Sequence, residues 1–106
     1  MNVICDMMNV PDADRNHLQQ LTLQALGYGD ESVGDAADAM DAFYALNAYG
    51  EGLGRERRIQ PGEDIISMMA LAEVDGERLT DLDIGVYFQL LITAGMILLD
   101  RTHPKR

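Results

Sequence analysis

The sequence DLDIGVYFQLLITAGMILLDRT, from Asp81 to Thr102, decides the fold of this chain. When it is placed on a helix, apolar side chains lie on nearly every side, which is typical of a helix that is buried all round. Thr80 can cap the start of this helix, because Asp83 lies where a capping box has its acidic partner. Pro104 ends it, since the residue before a proline avoids helical backbone. The stretch therefore predicts a long apolar C-terminal helix from Asp81 to about Thr102.

Shorter helices are expected before it. Val3 to Met8 is an apolar helical turn, and Pro11 suits the first turn of a second helix that stops at Gly27. After a glycine-rich connection, a long helix begins at about Asp35. A further helix runs from Glu63 to Glu73, after a proline-glycine boundary.

The residue pattern also makes finer predictions about these elements. Gly50, Gly52 and Gly54 each cost about 1 kcal/mol relative to alanine in a helix interior, so the long helix should fray or break near Gly52. Asp75-Gly76 is a two-residue hairpin signal and predicts a tiny ribbon within residues 74–79. The apolar sides are predicted to be Ala36, Met40, Phe43, Tyr44 and Leu46 in the long helix, and Ile65, Met68, Met69 and Ala72 in the next one.

These elements make an all-α fold, a small bundle of four to five helices in a single domain over residues 1–106. The composition, 47% hydrophobic and 25% charged, is that of an ordinary globular protein. A net charge of -10 argues against a nucleic-acid surface, because phosphate binding needs clustered lysine and arginine. The most apolar stretch, Ile84 to Leu99, is shorter than the roughly 20 residues that a membrane span needs. A single cysteine and the lack of a basic, then apolar, leader favour the cytoplasm.

Several stretches of the sequence are similar to segments of one enzyme family. Ala72 to Asp81 reads AEVDGERLTD, and an Ala-Gly pair follows at Ala94-Gly95. In this respect the chain resembles the cytochrome P-450 family, the bacterial haem-thiolate monooxygenases, at the turn before the central helix and in that helix. Leu21 to Asp30 and Asp35 to Arg58 resemble the family's substrate-covering helices. The sequence of this turn resembles in particular that of actinobacterial enzymes that hydroxylate sterols and branched lipids.

The resemblance implies both a site and a missing function. It places Leu91, Ala94 and Gly95 on the wall of the family's substrate cavity. In the family an acidic residue and two threonines follow the Ala-Gly pair and distort the helix, whereas here Met96 follows. We therefore expect an undistorted helix through Gly95. The Phe-x-x-Gly-x-x-x-Cys loop, whose thiolate ligates haem iron, is not found in this sequence. No cofactor is expected in this chain, although the family uses haem, and the resemblance implies a fragment that precedes the haem-binding half.

Other residues that could carry chemistry have simpler interpretations. Cys5 lies in an apolar helical setting and is expected to be a buried structural thiol. His17 and His103 lack the second ligand at helical spacing that a metal site needs. Asp35, Asp38 and Asp41 share a helical face, which is more typical of a solvated helix start than of a cation site.

Three functional hypotheses follow. The first is a fragment of a haem-dependent monooxygenase that is not a catalyst by itself. The second is a small helical module that uses the retained apolar cavity to hold a hydrophobic lipid or sterol, or a protein partner. The third is part of a split monooxygenase whose haem comes with another chain. Because a few short helices cannot surround the C-terminal helix, we also expect a homo-oligomer, a dimer formed through that helix.

Overall fold

The computed structural model describes the backbone of residues 2–27 and 36–102, and the side chains of residues 3–27 and 39–95. This part of the chain contains five α-helices and one two-stranded antiparallel sheet, in agreement with the predicted all-α class. The elements are α1 (Asn2–Met7), α2 (Asp12–Ala25), α3 (Ala36–Ile59), α4 (Ile65–Leu71), β1 (Glu73–Val74), β2 (Glu77–Arg78) and α5 (Asp81–Thr102). The predicted connection up to Gly34 falls on residues 28–35, outside the described residues. Over the described ranges, no helix is both long enough and apolar enough to cross a membrane.

Helices α1 and α2 form the amino-terminal edge of the fold. A short turn joins them, in which Asn9 has a φ of 54° and the amide of Val10 donates to the carbonyl of Cys5 over 2.9 Å. Arg15 in α2 closes this turn, because it donates to the Val10 carbonyl and pairs with Asp6 over 2.8 Å. Gly27, with a φ of 84°, follows the end of α2, as its position in the sequence predicts.

Helices α3 and α5 cross at the centre of the molecule, and glycines set how closely they approach. A Cβ atom added at Gly85 would lie 2.5 Å from the carbonyl oxygen of Asn47, and one at Gly50 would lie 2.5 Å from Cβ of Phe88. A Cβ added at Gly54 would lie 3.0 Å from Cγ2 of Ile84. The prediction of a break near Gly52 is wrong: α3 is continuous from Ala36 to Ile59. The packing of two of its glycines on α5 offsets their helix-weakening cost.

The buried sides of α3 and α4 agree with the predicted ones only in part. Among the described apolar side chains of α3, Ala42, Leu46 and Leu53 are buried and Phe43 packs against the core, whereas Met40 and Tyr44, predicted to be apolar contacts, are 50% and 62% exposed. The buried side of α4 consists of Ile66, Ser67 and Ala70, and Met68 is 66% exposed. The pattern identified the helices and part of their buried faces, since Leu46 is buried and Phe43, Ile65 and Met69 pack against the core, but it counted exposed side chains as core.

The hairpin and the start of α5 form as predicted. Asp75 and Gly76 both have positive φ angles, 54° and 83°, which is the backbone of the tight two-residue hairpin turn. At the start of α5, the amide of Asp83 donates to Oγ1 of Thr80, and the amide of Thr80 donates to Oδ2 of Asp83, both over 3.0 Å. This reciprocal pair is the capping box that the sequence indicated.

Candidate functional site on helix α5

Leu91, Ala94 and Gly95 lie within one turn of α5 but in three different environments. Leu91 is partly buried and packs against the core. Ala94 is exposed to solvent. Gly95 faces α1, where an added Cβ would lie 3.0 Å from Cβ of Ile4. Of the three residues, Ala94 is therefore the one that a ligand or partner can reach directly.

The backbone of α5 is a continuous α-helix through Gly95, up to Thr102. This agrees with the expectation that Met96, in the place of an acidic residue and two threonines, leaves the helix undistorted. Just before that point, the hydroxyl of Thr93 donates to the carbonyl of Gln89 over 2.8 Å, and both side chains are buried. The polar groups of this turn are thus satisfied within the helix.

One side of α5 is buried and the opposite side is open. Ile84, Phe88 and Ile92 are fully buried against the other helices. The ring of Phe88 contacts that of Tyr49 in α3, with centroids 5.4 Å apart. The open side carries Leu82, Val86, Tyr87, Leu90 and Ala94, which we name the α5 stripe; its four large side chains are 62%, 40%, 45% and 52% exposed. The sequence predicted a helix with apolar side chains on nearly every side, but it did not indicate which side the described chain itself covers.

Two adjacent arginines at the end of α3 hold the surrounding elements in place. Arg57 donates to the carbonyl of Asn9 over 2.9 Å and to Oδ2 of Asp64 over 3.1 Å, so it connects α3 to the α1–α2 turn and to the start of α4. Arg58 donates to the carbonyl of Ala70 over 2.9 Å and to the carbonyl of Leu79. Their contacts to distant carbonyls have no signal in the local sequence pattern.

Arg58 also fixes the first turn of α5. Its Nε lies 3.0 Å from Oδ1 of Asp81, and Arg55 approaches the other oxygen of that carboxylate at 3.7 Å. The start of the α5 stripe is therefore anchored to α3 through Asp81. This arrangement presents the stripe on a rigid support.

Cys5 is fully buried in α1. Burial raises the pKa of its thiol, and the nearby positive charge of Arg15 opposes that shift only in part. A thiol in this setting stays protonated at neutral pH and is out of reach of a bound macrocycle. The residue is the structural thiol that the sequence indicated, and it does not fit the role of a haem ligand.

The remaining candidate positions do not assemble into a metal site. His17 is exposed on α2, and Asp41 is exposed on α3. Within the described ranges, no group of three or more His, Cys, Asp or Glu residues could hold a metal ion. His103, Asp35 and the side chain of Asp38 lie outside the described residues.

A surface depression of about 480 Å³ lies between the end of α1 and the start of α4. It is lined by Asp6, Met7, Asn9, Glu63, Asp64 and Ile65. Two of its three carboxylates already have partners, because Asp6 pairs with Arg15 and Asp64 with Arg57. The depression is thus a wide, largely neutralised opening, and none of Leu91, Ala94 and Gly95 lines it.

Comparison with known proteins links the chain to oxygenases. It is similar to the methyl-branched lipid omega-hydroxylase of Mycobacterium tuberculosis, with 38% identity over 96 residues that make up 90% of this chain and 22% of that enzyme. It is similar to the steroid C26-monooxygenase of Mycolicibacterium smegmatis, with 30% identity over 95 residues, again 90% of this chain and 22% of that enzyme. No protein-family model matches the chain.

The fold has counterparts among solved structures as well. The crystal structure of CYP109E1 from Bacillus megaterium in complex with corticosterone superposes with a TM-score of 0.72 at 29% identity. The match covers 88% of this chain and 25% of that one. The chain thus spans about a quarter or less of the length of these proteins, and the likeness concerns one segment of them.

Proposed function

Because the chain belongs to the cytochrome P450 family over a segment that makes up 22% of its curated relatives, we propose that these 106 residues do not catalyse monooxygenation by themselves. In this proposal they supply substrate-covering helices and a central helix of the family's fold. The observation that carries the proposal is the burial of Cys5, the single cysteine in the sequence.

The argument concerns what a haem-thiolate centre requires of its protein ligand. The ligand must be a thiolate that reaches the iron, and a low thiol pKa and access from a loop make this possible. Cys5 has the opposite properties, since it is fully buried in a helix and burial raises its pKa. In addition, Met96 stands where the family has its oxygen-activating acid and threonines. In this proposal Cys5 does not serve as the iron ligand and Met96 does not perform the oxygen-activating chemistry.

Titration with haemin tests this proposal. We expect no stoichiometric haem binding and no thiolate-type band in the reduced carbon monoxide difference spectrum. A Cys5→Ser variant is the matched control, and its spectra should equal those of the wild-type chain. A thiolate-type band at one haem per chain that disappears in Cys5→Ser would overturn the proposal.

A second candidate function is binding through the α5 stripe. Five neighbouring residues of one helix expose apolar surface, and a surface of this kind normally marks an interaction site. The relatives are named for action on a methyl-branched lipid and on a steroid, and CYP109E1 was crystallised with corticosterone. We therefore propose that the stripe takes either a hydrophobic lipid or sterol, or a second copy of the chain as a homodimer, in the cytoplasm. Extraction of the purified chain without detergent, followed by mass spectrometry, tests for a bound lipid.

A catalytic role as one part of a split monooxygenase is the third candidate. It requires another polypeptide to supply both the haem and the thiolate, since Cys5, the single cysteine of this sequence, is fully buried. A red complex with a Soret band after co-expression with such a polypeptide would favour it over the first proposal.

A further inference from the structure

We infer that Arg57 is a latch that couples the two walls of the surface depression, so that neither wall loosens without the other. The first wall is the end of α1 with the turn after it, and it contributes Asp6, Met7 and Asn9. The second wall is the start of α4, and it contributes Glu63, Asp64 and Ile65. The latch consists of contacts within the described chain, so it does not depend on what else covers this surface. It goes beyond the proposed function, because it holds whether or not the chain binds haem.

The guanidinium group of Arg57 contacts both walls at once. Its Nε donates to Oδ2 of Asp64 over 3.1 Å, and its Nη2 donates to the carbonyl of Asn9 over 2.9 Å and to that of Met8 over 3.5 Å. A guanidinium is a rigid, planar fork of donors, so donors that are engaged on two sides fix the separation of their acceptors. The side chains of Arg57 and Asp64 are 11% and 5% exposed, so water has little access to this contact.

The first wall contains a turn that needs support from outside. Asn9 has a φ of 54°, a backbone conformation that residues other than glycine adopt at a cost. Arg15 supports the turn through the carbonyl of Val10, but it lies on α2, directly after the turn. Arg57 reaches the turn from α3 and therefore connects it to a different part of the fold.

The second wall depends on the same guanidinium through Asp64. Oδ1 of Asp64 accepts from the amide of Ser67 over 3.3 Å and so caps α4, while Oδ2 accepts from Arg57. Without the guanidinium, this buried carboxylate would lack its positive partner, which is costly. If the first wall opens, Arg57 loses the carbonyls that orient its fork, and both the ion pair and the cap of α4 weaken. Coupling between two sites is reciprocal, so opening of α4 loosens the turn as well.

Packing gives the two walls separate supports. Helix α4 packs mainly on α3 and α5, whereas α2 packs mainly on α3 and α1 packs on α5. Within the part of the chain that the structure describes, Arg57 is the side chain whose hydrogen bonds reach both walls. Loss of its planar fork should therefore leave two elements that open independently of each other.

Amide hydrogen exchange of the intact protein tests the latch. The amides of Met8, Asn9 and Val10 donate to carbonyls of α1, so their exchange reports opening of the first wall. We expect Asp64→Ala, a change in the second wall, to speed this exchange about tenfold, which lies within the usual range of coupling between sites. In an Arg57→Met background, the same change should alter it by less than about twofold, because the connection is already absent.

Two controls separate the latch from a general loss of stability. Arg55→Met is the matched variant, because Arg55 also lies on α3 but is 58% exposed and makes its ion pairs with α3 and α5; it should leave exchange in both walls unchanged. The amides of α5 around Ile92 are the internal reference and should keep their exchange rates. If circular dichroism shows that Arg57→Met does not fold, Arg57→Lys takes its place, since an ammonium keeps the charge but lacks the planar fork.

The reverse change supplies the second measurement. Arg15→Met loosens the first wall and should speed exchange of the Ser67 and Met68 amides at the start of α4, again only where Arg57 is present. Unchanged exchange of the turn amides in Asp64→Ala, the same acceleration with and without Arg57, or an equal acceleration in α5 would overturn the latch. None of these outcomes bears on the haemin titration, so failure of the latch and failure of the non-catalytic proposal are distinguishable.

Discussion

Substitution of Gly85 or Gly50 by alanine tests the close crossing of α3 and α5. An added Cβ at Gly85 would lie 2.5 Å from the Asn47 carbonyl oxygen and 2.8 Å from Cγ of Glu51. At Gly50 the nearest atoms are Cβ and Cγ of Phe88, at 2.5 and 2.9 Å, and Cα of Gly85 at 3.0 Å. Backbone atoms and a Cβ cannot rotate away as the end of a flexible side chain can. The two helices must therefore separate by several tenths of an ångström to accept either methyl group.

The expected magnitude follows from two opposing effects. Alanine stabilises a helix by about 1 kcal/mol relative to glycine. Overpacking of a close contact costs about 1–3 kcal/mol, and more when backbone must move. Separation of the helices by 0.5–1 Å also forfeits roughly a quarter to a half of the dispersion energy of the atoms at the crossing. We expect a net loss of about 2 kcal/mol for each substitution, a large share of the 5–15 kcal/mol that is typical of a whole domain.

Gly52→Ala supplies the control within the same helix. Gly52 lies between Gly50 and Gly54 in the sequence, yet an added Cβ there would meet no atom within 4 Å. This variant keeps the gain in helix propensity without the clash, so its free energy of unfolding should rise by about 0.5–1 kcal/mol. Urea unfolding followed by circular dichroism at 222 nm measures all three changes. If Gly50→Ala and Gly85→Ala stabilise the chain as Gly52→Ala does, the close crossing does not exist.

Two further predictions concern the contacts around α3. Burial favours a raised pKa for Asp64, but hydrogen bonds from Ser67 and Arg57 outweigh it and hold the pKa below its ordinary value of 3.8. The stability that Asp64 contributes is therefore full above that value and is lost as the pH falls through the lower folded-state pKa. In urea unfolding between pH 2 and pH 7, Asp64→Asn should be less stable than wild type near neutrality, and its free energy of unfolding should fall less on acidification. Equal dependence of the two free energies of unfolding on acid pH would contradict this. Burial and the hydrogen bond that the Tyr49 hydroxyl donates to Asp14 over 2.7 Å raise the pKa of Tyr49. Tyr49→Phe should therefore lower the free energy of unfolding in urea by about 1–2 kcal/mol below pH 9. This difference from wild type should shrink at higher pH, because the wild-type fold resists ionisation of the phenol and loses stability there.

The start of α5 and the hairpin could be predicted because their signals are local. The start of α5 is marked by the Thr80 and Asp83 capping pair, and the hairpin by Asp75-Gly76, whose backbone needs positive φ angles. Each signal depends on residues within about four positions of each other, which a sequence displays directly.

The buried faces could not be predicted in the same way, because they depend on which neighbour is present. Met40 and Tyr44 have the periodicity of a core side but are half or more exposed. Gly50 carries no apolar side chain, yet it is one of the most tightly packed positions in α3. A pattern that counts large apolar residues misses a helix contact at which the lack of a side chain lets the two helices approach closely. The same limit applies to Arg57 and Arg58, whose carbonyl partners lie up to 49 residues away in the sequence.

The three residues that the family resemblance singled out show how packing and binding can require the same small side chain. Gly95 lies against Ile4, so its lack of a side chain is explained by the contact between α5 and α1 without any ligand. Leu91 is partly buried against the core, and its apolar character is likewise accounted for by the fold. Ala94 alone has an open surface around it, at the end of the α5 stripe. A larger residue there would leave the monomer intact and obstruct whatever covers the stripe, so of the three positions it is the one whose small size points to an interaction.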